Sequence, residues 1–210
     1  MVKTAILVSG GGMNLQAILD AHLFGEIPNC ELTAVISVNP EAYALERAQM
    51  AKVPSYVVDA GIFPNRYSFC RALLEKLQDL NIELVVLAGF PYLLDVTFVN
   101  TFRGRIINTH PSLFPAFRGE GFYGLQVHRA VLASGIKLSG ATAYFVTREL
   151  CAGPIILQKG VEVLEDDTPA TLQRRIMEEA EWEILPKAIA LYCQGRLTVD
   201  GQIVHLAPAE

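Results

Sequence analysis

The chain has 210 residues and a mass of 23.0 kDa, and 51% of its residues are hydrophobic, enough to bury a sizeable core without disulfide or metal staples. A formal charge of −5 and a pI near 5.4 exclude a global electrostatic pull toward nucleic acid. The four cysteines, Cys30, Cys70, Cys151 and Cys193, contain no CxxC pair, and the longest apolar run, Leu84 to Leu94, is interrupted by Gly89 and Pro91. Scattered thiols suit a reducing compartment, that run is too short to span a bilayer, and the first residues read as a strand rather than a secretory leader. The expectation is a cytoplasmic protein acting on small molecules, with no nucleic-acid or membrane partner, as a monomer or homodimer.

Thr4–Val8 is a β-favouring apolar run closed by Ser9-Gly10-Gly11-Gly12, and apolar spacing predicts a helix from Asn14 to Leu23. Glu31–Val38 is a second strand stopped by Asn39-Pro40, Tyr43–Met50 a short helix, and Pro54–Val58 a third strand. Arg66–Leu80 has helical spacing, Leu84–Ala88 is a fourth strand, and a fifth begins over Arg105–Asn108. Ser139–Val146 and Ile155–Val163 are long runs with no helix between them, so they should pair antiparallel. Thr168 and Pro169 open a long helix toward Gln194, with a break or kink at Pro186. Asp200-Gly201 is the turn of a closing hairpin. The strand–helix alternation predicts an α/β fold of Rossmann type: a mostly parallel twisted sheet with helices on both faces and antiparallel strands in the C-terminal part. Residues 1–210 read as one domain.

Such sheets bind ligands beyond the carboxyl ends of their strands, which selects the loops 9–14, 89–94 and 108–123. Ser9-Gly10-Gly11-Gly12-Met13-Asn14 reads either as a phosphate cradle, with backbone amides at a helix N-terminus, or as a tight turn without ligand. It is neither a GK[ST] loop nor GxGxxG. In Asn108-Thr109-His110-Pro111-Ser112, the amide and imidazole sit two apart at a strand end and can share a face. The amide suits an oxyanion and the imidazole a proton; the alternative is a histidine bonded to backbone carbonyls. Cys151 reads as a buried small hydrophobe rather than a nucleophile, because nothing local marks a lowered pKa. Glu178, Glu179, Glu181 and Glu183 read mostly as a solvated helix face, with Glu181 beside Trp182 a weaker candidate for holding an amine or hydroxyls. His22, His128 and His205 lack metal-ligand spacing, and no metal is expected.

SGGGMNLQAI at 9–18, VVLAGF at 85–90, NTHPSLFP at 108–115, GATAYFV at 140–146, GPIILQ at 153–158 and AEWEILP at 180–186 together resemble the phosphoribosylglycinamide formyltransferase family. The wider group using 10-formyltetrahydrofolate includes deformylases. The resemblance implies formyl transfer from 10-formyltetrahydrofolate to the amine of glycinamide ribonucleotide. It divides the chain into a phosphate-binding half, 1–110, and a folate-binding half, 111–210. By it, Gly12, Met13 and Asn14 hold the ribose phosphate and Glu178 and Glu181 the ribonucleotide. Arg66, Pro91, Tyr92, Leu93 and Leu94, with Thr147, Arg148, Glu149 and Leu150, line the folate pocket beside Asn108. Asn108, His110 and the residue at 151 do the chemistry. Two departures stand out: Cys151 occupies the position of the family's aspartate, for which Glu149 is a candidate replacement, and Met13 replaces a hydroxyl residue. The segment Arg118–Gly124 also looks longer than usual, which suits either a lid or a surface insertion.

Overall fold

The computed structural model describes residues 1–208. Five parallel strands, β1 (Val2–Val8), β2 (Cys30–Ser37), β3 (Ser55–Val57), β4 (Leu84–Leu87) and β5 (Ile106–His110), are extended by β6 (Leu138–Phe145) and β7 (Ile155–Glu162), each antiparallel to its predecessor. The order is β3-β2-β1-β4-β5-β6-β7. The order in which strands are added reverses at β1, whose neighbours are β2 and β4, so the carboxyl ends of β1 and β4 form a switch point. There the Ser9 hydroxyl donates to the Gly89 carbonyl at 2.6 Å, tying the two loops together.

Alternation along the strands builds two cores. Ile6 and Val8 of β1 and Leu84 and Val86 of β4 face one side; Ala5, Leu7, Val85 and Leu87 face the other. The first side is covered by α1 (Met13–Leu23), α6 (Pro169–Ile176) and α7 (Trp182–Cys193), and the second by α3 (Arg66–Asp79) and α4 (Val96–Thr101). Fully buried side chains such as Leu15, Leu73 and Phe98 each contribute about 1.5–3 kcal/mol. With both faces covered, β4 is apolar throughout and β1 is apolar from Ala5 to Val8, as a parallel sheet requires.

Several elements differ from their sequence expectation. Helix α4 and α5 (Leu125–Ser134) carry no strong periodic signal; α4 is capped by Asp95, which accepts from the Phe98 N–H at 2.8 Å, and α5 lies between Gly124 and the left-handed Gly135. The long C-terminal helix starts at the Thr168 capping box as expected. Its irregularity is a π turn over Met177–Glu181, not a break at Pro186, which sits inside α7. The closing hairpin, β8 (Leu197–Asp200) and β9 (Ile203–Leu206), pairs Asp200 with Ile203, so its loop is Gly201-Gln202, one residue later than read. Among the described residues no helix is long and apolar enough to cross a membrane.

Candidate active site

The end of β5 divides the site by parity. Ile107 belongs to the α1/α7 core and Ile106 to the α3/α4 core. Asn108 and His110 therefore share the α3/α4 side, while Thr109 points to the side of α7. Antiparallel register places Tyr144 opposite Asn108 and Thr142 opposite His110. Thr142 holds the loop behind the pair: its hydroxyl donates to the Ser112 carbonyl at 2.7 Å and accepts from the Phe114 N–H at 3.1 Å. Gln158, its register partner on β7, donates to that hydroxyl and to the Phe114 carbonyl.

Asn108 has one defined orientation. Its Oδ1 accepts the Thr109 N–H at 2.9 Å and its Nδ2 donates to the Tyr144 hydroxyl at 3.0 Å, which leaves one amide proton for a ligand oxygen. His110 is 6% exposed. Its Nε2 lies 2.8 Å from the Phe117 carbonyl, which can only accept, so Nε2 carries the proton and Nδ1 a lone pair. That Nδ1 faces Cys151 Sγ at 3.9 Å. Burial lowers the His110 pKa, partly offset by the Phe117 carbonyl, and the ring is neutral at pH 7.

Cys151 is buried, as its apolar reading requires, and its sulfur touches the two groups that matter: His110 and the Tyr144 hydroxyl at 3.6 Å. The residue adopts φ +52°, and Gly153 two positions on brings the loop so close to β6 that a Cβ there would lie 1.7 Å from the Phe145 carbonyl. Arg118 donates to the Cys151 carbonyl at 3.0 Å and stacks over Phe114. Glu149 is exposed on the same loop, and only burial and the Phe117 carbonyl act on His110. It does not stand in for the missing aspartate. No sequence signal marked Tyr144; its place opposite Asn108 is set by the register of β6 on β5.

On the other side of β5, Gly12 caps α1 at φ +72°, and a Cβ there would meet Ala44 Cβ at 2.8 Å. Glycine is required by both the backbone and α2 (Ala44–Met50). Arg47 of α2 supports the glycine loop, its Nε donating to the Gly11 carbonyl at 2.7 Å and its Nη1 to Gln16 Oε1 at 2.8 Å; nothing local in the sequence marked it. The exposed Met13 meets this guanidinium through Sδ.

Of the four glutamates, Glu181, set apart in the sequence beside Trp182, is the one that leaves the solvated face. The π turn rotates it inward to 7% exposure. Burial pushes its carboxyl up to about 7, against the hydrogen bonds offered by Thr109 and Asn14. Trp182 Nε1 donates to Asn14 Oδ1 at 3.0 Å and turns the Asn14 amide N–H groups toward Glu181. Glu178 is exposed and paired with Arg174, away from this cluster. His128 is fully buried with neither ring nitrogen bonded and its pKa pushed down to about 4, so it is a neutral core ring.

The residues expected around the folate lie on the Asn108 side. Arg66 opens α3, and the Tyr92 ring packs 5.5 Å from Phe69 of the same helix. Pro91, Tyr92 and Leu93 are exposed and Leu94 borders the α3/α4 core. Thr147, Arg148 and Leu150 form the rim before Cys151, with Arg148 anchored on Asn100 Oδ1 at the end of α4. A separate groove of about 560 Å³ runs between α1 and α7 and reaches Met13 and Trp182, but not Asn108 or His110. No metal-ligand cluster occurs among the described residues.

An oriented amide and a neutral imidazole on one face, at the carboxyl end of a parallel sheet, define a site for addition to a carbonyl carbon. The chain belongs to the formyl transferase family, whose model, described as "Formyl transferase", matches residues 2–189. It is 35% identical over 206 residues to the phosphoribosylglycinamide formyltransferase of Haemophilus influenzae, covering 98% of this chain and 94% of that one. The Escherichia coli protein of the same name is 37% identical over 196 residues, 93% of this chain and 89% of that one. A trifunctional purine biosynthetic protein of Homo sapiens is 36% identical over 205 residues, 96% of this chain but 19% of its own length. The crystal structure of a glycinamide ribonucleotide transformylase from Symbiobacterium toebii superposes with a TM-score of 0.92 at 43% identity, over 99% of this chain and 95% of that one.

Proposed function

We propose that the protein transfers the formyl group of 10-formyltetrahydrofolate to the amine of glycinamide ribonucleotide, a step of de novo purine synthesis, as one cytoplasmic formyltransferase domain. The observation that carries this reading is the locked pair on one face of β5: Asn108, oriented by Thr109 and Tyr144, and His110, held neutral with its lone pair on Nδ1. The acceptor amine attacks the formyl carbon, and the free Asn108 N–H binds the oxyanion as the carbonyl becomes tetrahedral. His110 takes the amine proton. Nδ1 is the nitrogen available for this, because its 3.9 Å contact with Cys151 is weaker than the 2.8 Å bond at Nε2. The intermediate collapses with tetrahydrofolate leaving through N10, which takes a proton.

The two ligands approach from opposite sides of β5. The amides of Gly12 to Asn14 at the head of α1, backed by the Arg47 cation, suit a phosphate, and Glu181 with Asn14 and Thr109 suits ribose hydroxyls. Arg66, the 91–94 loop and the Thr147–Leu150 rim suit the folate. Purified protein should release tetrahydrofolate only when both substrates are present; release of formate without amine would instead make it a deformylase.

One observation favours a second reading, in which the same pocket turns over slowly. His110 has a thiol beside it where a carboxylate would raise its pKa. Cys151→Asp should then increase kcat by about 10- to 1,000-fold, and aspartate tolerates the left-handed backbone at this position. No gain would show that the thiol is no handicap.

A further inference from the structure

The hydrogen positions around Cys151 follow from the partners. Asn108 Oδ1 is occupied by the Thr109 N–H, so Nδ2 is the end that donates to the Tyr144 hydroxyl at 3.0 Å. With its oxygen accepting there, the hydroxyl turns its own proton to its other polar neighbour, Cys151 Sγ at 3.6 Å. Tyr144 is 3% exposed, and burial pushes its pKa upward, so it is a donor at every working pH. The sulfur receives that proton, and its own S–H can point to His110 Nδ1 at 3.9 Å, the lone-pair nitrogen left by the Nε2–Phe117 bond. The bonds run in one direction: Asn108 to Tyr144 to Cys151 to His110 to the Phe117 carbonyl.

We propose that Tyr144 is a positioning residue, whose hydroxyl joins the oxyanion-binding amide of Asn108 to the proton-accepting His110 through Cys151 in one directed relay of hydrogen bonds. The relay gives the thiol a task in place of a carboxylate. When His110 gains a proton at Nδ1, that N–H faces the sulfur, and the thiol proton must leave the line between them. The S–H then rotates away and the neutral sulfur, held in place by the Tyr144 hydroxyl, accepts the imidazolium N–H. The Asn108 end is stiffened by the same bonds, so amide and imidazole respond together.

The kinetic test rests on the formyl-transfer reading; the thiol test does not. Tyr144→Phe keeps the ring packed 4.9 Å from Phe114 and removes only the hydroxyl. It should lower kcat by about 10- to 100-fold, with KM for both substrates changing by less than about threefold. The infrared S–H stretching band of Cys151, identified as the one lost in Cys151→Ala, should move to higher frequency, because a sulfur that no longer accepts from Tyr144 donates a weaker hydrogen bond to His110. In a Cys151→Ala background, the same substitution should cost less than about threefold in kcat, the non-additivity expected of groups acting as a unit. An unchanged S–H band in Tyr144→Phe, or losses that simply multiply in the double variant, would overturn the relay. Absence of amine-dependent tetrahydrofolate release by the unaltered protein would instead defeat the formyl-transfer reading, and the S–H band would still decide the relay.

Discussion

Glu181 holds a carboxyl in a buried pocket, where its pKa rises from 4.5 to about 7. Between these values the folded chain keeps a proton that the unfolded chain has released, so stability falls as pH rises through that window and levels off above it. The full penalty is on the order of 3 kcal/mol. Glu181→Gln should therefore raise the melting temperature at pH 8, with the difference vanishing near pH 4.5, as thermal scans across pH would show. In exchange, the KM for glycinamide ribonucleotide should rise, because an ionised carboxylate accepts ribose hydroxyls more strongly than an amide. Glu181 is only weakly marked in the sequence, because four glutamates within six residues look like one solvated face on a regular helix. Only the π turn sets its direction.

Among the elements, the glycine loop and the C-terminal helix depend on single residues. Gly12→Ala combines a left-handed φ of +72° with a contact of 2.8 Å to Ala44. It should cost on the order of 2 kcal/mol or more and displace the amides at the head of α1. Thr168→Ala removes a capping box and should cost roughly 1 kcal/mol without touching the site. Urea unfolding separates the two: both lower the midpoint at constant m, and only the first weakens phosphate-ester binding. These two features were legible in the sequence, because glycine runs and Thr-Pro openings act through local backbone chemistry. Helices α4 and α5 were not. Six and ten residues offer too few turns for an apolar period to stand out beside strong neighbouring strands.

At the scale of the whole molecule, the proposed half-sites lie to either side of β5 and meet at Asn108, so the binding of each ligand should be nearly independent of the other. Each ligand at about 100 times its Kd should stabilise the fold by about 2.7 kcal/mol, a rise of roughly 5–10 °C in melting temperature. Glu181→Gln should shrink the shift from the ribonucleotide and leave the folate shift intact, while Tyr92→Ala should do the reverse. Calorimetric scans of both variants with each ligand would check this; a loss of both shifts in either variant would mean the half-sites are coupled.

The sequence by itself determined the α/β class, the succession of strands along the chain, the loops that converge and the Asn108–His110 pair. Each rests on local rules: hydrophobic period, turn chemistry, and the alternation of side chains along a strand. It also showed that the expected aspartate is absent at position 151. Only the tertiary structure decided what replaces that aspartate. Glu149, near in sequence, points outward, while Tyr144, seven residues before Cys151, is brought to Asn108 by antiparallel register and to the sulfur by the tight return at Gly153. A side chain's partners across a sheet depend on which strands pair and in what register, and the packing that settles both is not local.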